Sequence, residues 1–257
     1  MSAVELFHRD SGGAAQAVVL AHAIGCDHRM WEALAERLSG RYRVIRFDAR
    51  GHGASPVPPR PYSLEGLAED AHGLVERLGL EKVHWVGLSM GAMVGMAFAL
   101  AYAERLGRLV LANTTSSYGP EGRAMWHARA KAVEQGGLAA IEPMVMGRYF
   151  SDDFRSEHPE LVAVASKRFL ETPVEGYLGC CDAIAELDFT GELGRIRNRT
   201  LVIAGALDAG TPPAMSQAIA ERIPGARMAI IPGAAHLSAA EKPEEFANLV
   251  ESFLAEP

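Results

Sequence analysis

Gly87-Leu88-Ser89-Met90-Gly91 is the stretch from which the rest of the chain can be read. Before it stands the apolar run Val83-His84-Trp85-Val86, which reads as a strand. After it, Ala92-Met93-Val94-Gly95-Met96-Ala97 are small and apolar residues that open a helix. A serine between two glycines at a strand-to-helix turn is the setting of a nucleophile elbow. The turn is tight, so the flanking positions must lack a side chain if the helix is to close on the strand. The serine hydroxyl then projects above the carboxyl edge of a sheet, which makes Ser89 the candidate nucleophile.

Working outward, further strands are expected over residues 4–8, 17–21, 42–47, 108–112, 200–204 and 227–231, with the elbow strand at 83–87. Several are apolar on both faces, as in Leu201-Val202-Ile203-Ala204, which is the pattern of strands buried in a parallel sheet. Helical periods lie between them. Leu64, Leu67, Ala68, Ala71, Leu74, Val75 and Leu78 share one face, with Ser63 as N-cap. The last helix starts at Pro243 and aligns Phe246, Leu249, Val250, Phe253 and Leu254. This alternation predicts an α/β fold with a doubly wound, mostly parallel sheet. The rhythm fails between Tyr118 and Phe189, where the pattern is helical and broken at Gly136-Gly137, Glu142-Pro143 and His158-Pro159. The expected organisation is therefore a core of residues 1–118 and 188–257 with a helical cap at 119–187.

A serine needs a base and the base an orienting carboxylate. His236 follows the strand at 227–231 in the loop Pro232-Gly233-Ala234-Ala235-His236, which delivers it to the same sheet edge as Ser89. His84, His72 and His8 fall in a strand, in a helix and near the start of the chain, where packing or solvation accounts for them. Asp208 lies just beyond the strand at 200–204, where functional residues collect in open α/β sheets. The order Ser, Asp, His is the one expected of a serine nucleophile on such an elbow. The oxyanion formed on attack needs fixed donors, and these are the backbone N–H of Met90 and that of Ile24 in the loop His22-Ala23-Ile24-Gly25.

Other chemistries find little support. Gly51-His52-Gly53 lacks a third glycine and a following helix, so it is not a dinucleotide loop, and there is no phosphate-binding Gly-Lys-Ser/Thr. No His-Glu-x-x-His or paired Cys-x-x-Cys is present, so neither metal nor cofactor is expected. Cys180 is a conceivable nucleophile, but its adjacency to Cys181 in a helical segment points to packing. A net charge of −7 argues against a nucleic-acid partner. The longest apolar run, 90–102, is too short for a bilayer, and Met1-Ser2-Ala3-Val4-Glu5 does not read as a secretory signal. Three cysteines, two of them adjacent, do not form a disulfide framework, so a reducing cytoplasm is expected. Oligomeric state is not legible.

With those residues assembled, nearly the whole chain resembles the α/β-hydrolases. Asp48-Ala49-Arg50-Gly51-His52-Gly53-Ala54-Ser55 looks like their loop after the third strand, and the elbow, the Asp208 loop and the Ala235-His236 loop also fit. Within that superfamily the chain is most similar to 3-oxoadipate enol-lactonases of aromatic catabolism. The resemblance rests on the elbow, Gly179-Cys180-Cys181-Asp182-Ala183-Ile184, the segment from Ala204 to Pro213, and Ala235-His236-Leu237-Ser238 with the residues up to Pro243. The chain departs from that pattern at His22-Ala23, where a small polar pair is usual, and at Ala92, where a third glycine often follows the elbow. The resemblance implies a serine hydrolase that opens a small carboxylated enol-lactone through an acyl-enzyme. It also implies an anionic small-molecule partner held in the cap, where Trp126, Arg129 and Arg148 are candidates and Arg129 is preferred. A carboxylesterase or C–C bond hydrolase with the same triad, and a hydrolase fold used as a small-molecule receptor, remain open alternatives.

Overall fold

The structure, a computed structural model, describes residues 3–256; Met1, Ser2 and Pro257, assigned to the core from sequence, lie outside the described residues. Seven strands form one sheet: β1 (His8–Asp10), β2 (Ala17–Ala21), β3 (Arg43–Phe47), β4 (Val83–Leu88), β5 (Leu106–Ala112), β6 (Thr200–Gly205) and β7 (Arg227–Ile231). Their order is β1-β3-β2-β4-β5-β6-β7, and all neighbours are parallel except β1 with β3. β2 and β6 are buried at every position, which is why they read as unbroken apolar runs.

The helices of the core are α1 (Glu32–Leu38), α2 (Leu64–Arg77), α3 (Met90–Ala101), α9 (Pro213–Arg222), α10 (Ser238–Glu241) and α11 (Pro243–Leu254). As expected, Ser63 caps α2, accepting from Gly66 N–H at 3.1 Å, and Pro243 opens α11. Helix α3 packs on β2, β4 and β5, and it is buried almost throughout because it sits behind the central strands. Five helices intervene between β5 and β6: α4 (Gly119–Gly136), α5 (Glu142–Tyr149), α6 (Asp152–Glu157), α7 (Pro159–Leu170) and α8 (Val174–Ala185). Together they make the helical segment between these two strands, with α4 packed along α8. The sequence breakers are its corners. Gly136 ends α4, Gly137 takes φ +67°, and Pro143 and Pro159 stand in the first turns of α5 and α7.

One strand differs from expectation. Residues 4–8 alternate well, and Leu6 is buried, yet the ladder with β3 starts at His8 and runs through the polar Arg9 and Asp10. The backbone of the preceding stretch bonds to side chains instead: Val4 N–H to Asp70 Oδ1 at 2.7 Å and Phe7 N–H to Ser55 Oγ at 2.9 Å. An edge strand needs only one paired side, so its ladder does not follow the hydrophobic residues. No helix among the described residues is long and apolar enough to cross a membrane.

Candidate active site

Parallel strands place every loop after a carboxyl end on one rim. Ser89 follows β4, Asn113 follows β5, Asp208 follows β6 and His236 follows β7. Ile24 follows β2, whose Ala21 pairs in register with Gly87 of β4, so the two loops are neighbours. This is the point where successive strands begin to be laid down on opposite sides, the usual ligand position in such sheets.

Ser89 adopts φ 56°, ψ −115°, a conformation that L-residues avoid and that surrounding bonds must hold. They do so from several sides. Ser89 N–H donates to Ala112 O at 2.8 Å, the Thr114 hydroxyl donates to Ser89 O at 3.1 Å, and Trp85 Nε1 donates to Gly91 O at 3.0 Å. The glycines are demanded by contact: a Cβ on Gly87 would lie 2.2 Å from Gly91 O, and one on Gly91 would lie 2.0 Å from Ala21 O. Ala92, where the resemblance favoured glycine, fits with no exposed surface and donates its N–H to Ser89 O. The Ser89 hydroxyl makes no hydrogen bond among the described residues, a common state before substrate aligns the groups.

His236 Nδ1 and Asp208 Oδ2 are 2.8 Å apart. Asp208 also accepts from Gly210 N–H and Thr211 N–H on Oδ1, and from the Thr211 hydroxyl and Asn113 Nδ2 on Oδ2. Burial pushes this carboxyl up, but the His236 charge, its hydrogen bond and the Thr211 and Asn113 donors outweigh it, holding the pKa at about 2. Asp208 is therefore ionised at neutral pH and fixes the proton of His236 on Nδ1, leaving Nε2 as the basic nitrogen. Glu241 secures the loop: Oε1 accepts from Ser151 N–H and hydroxyl, both at 2.7 Å, and Oε2 takes the Ala235 N–H. The site and the cap are thus bonded through one carboxylate.

The Ile24 and Met90 amides donate to no acceptor among the described residues. The loop that carries Ile24 is pinned by two buried histidines. His22 Nε2 accepts from Ala49 N–H at 2.9 Å while Nδ1 faces Ala23 O at 2.8 Å, and His52 Nε2 accepts from Gly25 N–H at 2.9 Å. The departure at His22 is thereby explained: its imidazole ties the loop after β2 to the loop after β3. Burial lowers the pKa of His22, and burial with the neighbouring His22 lowers that of His52 to about 3. Both are neutral when folded but bind protons below about 6.5 when unfolded. Stability is thus fully present above pH 6.5 and is lost as pH falls toward 3. His52 alone gives a slope of up to about 1.4 kcal/mol per pH unit. Urea unfolding at pH 7.5 and pH 5 should show the loss; a flat profile would mean that these rings are charged in the fold.

Four residues of the site were not found from sequence. Asn113, with φ 46°, donates to Asp208 Oδ2 at 3.0 Å and to Ala235 O at 3.1 Å and accepts from Ser238 Oγ, and only its place directly after a strand hints at this. Thr211 lies within the segment from Ala204 to Pro213, where nothing in the sequence sets it apart. Tyr149 stacks on His236, ring centroids 5.9 Å apart, and its hydroxyl donates to Ile24 O. Tyr177 brings its buried hydroxyl beside the Arg129 guanidinium. Tyr149 and Tyr177 reach the site by tertiary packing, for which a helical pattern gives no signal.

Of the expected cap contacts, Trp126 and Arg129 are buried side by side on α4, with the guanidinium carbon 4.8 Å from the Trp126 ring centroid and 5.7 Å from that of Tyr177. Arg129 is 8% exposed and forms no ion pair among the described residues. Among the described residues Trp126 Nε1, Arg129 Nε and Tyr177 OH are buried without a well-formed hydrogen bond, although Tyr118 lies against Trp126 and Tyr177 against the Arg129 guanidinium. Arg148 is half-buried, 3.9 Å from the sulfur of Met125. Cys180 and Cys181 are buried, and burial raises both thiols, Cys181 to about 12, so neither is a thiolate at neutral pH. Asp27, His28 and Asp48 converge within 4.8 Å, a grouping hidden in the sequence. Their carboxylates are engaged by Arg29, by the His28 N–H and ring and by the Ala54 N–H.

Over residues 16–243 the chain fits the model of the alpha/beta hydrolase fold. The chain belongs to that family. This hydrolase is 34% identical over 238 residues to 3-oxoadipate enol-lactonase 2 of Acinetobacter baylyi, covering 93% of its own length and 88% of that protein. Among solved structures it is similar to an enol-lactonase from Burkholderia xenovorans LB400, with TM-score 0.94 and 36% identity, covering 98% of this chain and 96% of that one. A thermophilic esterase from Thermogutta terrifontis superposes with TM-score 0.92 and 34% identity, over 98% and 93% of the two chains.

Proposed function

We propose that this hydrolase opens a small carboxylated enol-lactone, of which 3-oxoadipate enol-lactone is the preferred candidate, through an acyl-enzyme on Ser89. The observation that carries the substrate class is Arg129. A guanidinium buried without a carboxylate is unfavourable by several kcal/mol unless an anion meets it. Trp126 Nε1 and Tyr177 OH beside it are further buried donors that make no well-formed hydrogen bond among the described residues. Together they suit a carboxylate presented beneath a cap at residues 119–187, over a core of 1–118 and 188–257. The kinship with enol-lactonases supports the same choice.

In this reading His236 Nε2 takes the Ser89 proton as Oγ attacks the lactone carbonyl. The Ile24 and Met90 N–H groups receive the oxyanion; each such donor contributes on the order of 100- to 1,000-fold in rate. When the tetrahedral adduct collapses, the ring C–O bond breaks and His236 returns the proton to the departing enol oxygen, which tautomerises to a ketone. Water, deprotonated by the same imidazole, then releases a dicarboxylate. A cytoplasmic role in aromatic catabolism belongs to this reading, and the three cysteines, all unpaired, suit a reducing compartment.

The test is turnover of 3-oxoadipate enol-lactone, generated in situ, against a neutral aryl ester. Arg129→Ala should raise KM for the lactone about tenfold or more, the scale of one lost charge-assisted contact, and leave the aryl ester nearly unchanged. Equal effects on both substrates would remove Arg129 from recognition. Cleavage of the ester alone by the unmodified protein would leave a carboxylesterase.

A further inference from the structure

A cavity of about 220 Å³ lies between α5, α6 and α7 and the loops at Gly25 and Leu237, with Tyr149 in its wall. Its walls include Met30, Phe150, Phe154, Leu161, Val164 and Leu237. An apolar cavity of roughly 150 Å³ already takes a benzene ring, so this one holds a phenyl group or a short alkyl chain. Neither Ser89 nor Arg129 lines it. Leu161 and Val164, 49% and 46% exposed, leave one apolar side of α7 facing it with no protein partner.

The cavity shares Cys26, Asp27, Arg29 and Arg168 with an adjoining polar cleft of about 380 Å³. Charges at this junction are unevenly matched. Arg29 is held by Asp27 at 2.6 Å, and Glu171 lies 3.8 Å from Arg29 and 4.0 Å from Lys167. Arg168, half-buried on α7, has no carboxylate within 4.0 Å among the described residues. An apolar chamber with an unmatched guanidinium at its mouth has the polarity of an amphiphilic anion.

We propose that this chamber binds a monocarboxylate with an alkyl or aryl tail, the tail among Phe150, Phe154, Leu161 and Val164 and the carboxylate on Arg168. Arg129 does not line this site, which does not depend on the lactonase reading. Tyr149 connects the chamber to the triad, since it lines the chamber and stacks on His236. An occupant of the chamber therefore lies one aromatic ring away from the triad.

Calorimetric titration with octanoate, octan-1-ol and acetate tests it. Octanoate should bind the unmodified protein and acetate should not, because acetate has no tail to bury. Arg168→Gln should weaken octanoate about tenfold, the equivalent of one charge-assisted contact, and leave octan-1-ol unaffected. Ala165→Trp, filling the chamber, should abolish binding of both. Val164→Asp, at a position exposed enough to tolerate a charge, should weaken octanoate even if the tryptophan variant does not fold. Arg129→Ala should bind octanoate as the unmodified protein does. The proposal is overturned if octanoate fails to bind, if Arg168→Gln and Val164→Asp leave its affinity unchanged, or if Arg129→Ala removes it.

Discussion

Ser89→Ala should lower turnover of any ester or lactone by roughly a million-fold, and His236→Ala by about as much, because nucleophile and base act as a unit. The geometry behind this is specific. The elbow holds Ser89 at φ 56° on the sheet rim, and the buried cysteines are far from their thiolate form. The alanine variant should fold, since the serine hydroxyl makes no hydrogen bond among the described residues, although alanine meets the same backbone strain. Mass spectrometry of the protein mixed with a slow ester should show an acyl adduct in the wild type and none in the variant. Turnover within tenfold of wild type would remove Ser89 from the mechanism.

Asp208→Asn should cost about 10⁴-fold in kcat while leaving the fold in place. The carboxylate accepts from His236, Thr211, Gly210 and Asn113 at once. An asparagine supplies an NH₂ group where only acceptors are wanted, so it either opposes the Asn113 or Thr211 donor or forces the His236 proton onto Nε2. In the second case the imidazole has no lone pair for Ser89. The substitution also reaches stability. Asp208 titrates at about 2 in the fold against 3.8 as a free residue. Its contribution is fully present above pH 3.8 and is lost as pH falls toward 2. The asparagine variant should lack that acid limb in an unfolding profile, and an unchanged limb would show that Asp208 titrates normally.

What could be read in advance followed from local chemistry. The elbow, the capping serine at 63, the prolines at 143, 159 and 243 and the apolar strands each announce a conformation within a few residues, and the structure places them accordingly. Ser89, Asp208 and His236 could be placed on one rim in advance because the parallel sheet turns chain order into position: loops after strands share one edge. Asn113 and Tyr149 act through contacts across 87 to 125 positions of sequence and Thr211 within an unremarkable loop, and periodicity carries no information about such pairs. The first strand was misplaced because Val4 and Leu6 bury their side chains while side chains of other segments take up the backbone of Val4 and Phe7. Hydrophobic alternation reports burial, and burial and ladder pairing part company at a sheet edge. His22 looked anomalous for a related reason, since its ring serves a loop that lies 27 residues further along the chain.

The unneutralised guanidinium in the cap also ties the durability of the protein to its surroundings. Any anion that settles against Arg129 binds the folded form alone and so shifts the unfolding equilibrium, by about 2.7 kcal/mol at a hundred times its dissociation constant. The resting protein should therefore melt earlier than the protein bathed in the dicarboxylate proposed as its product. Abundance in the cell would then rise and fall with metabolic supply, with no regulator other than mass action.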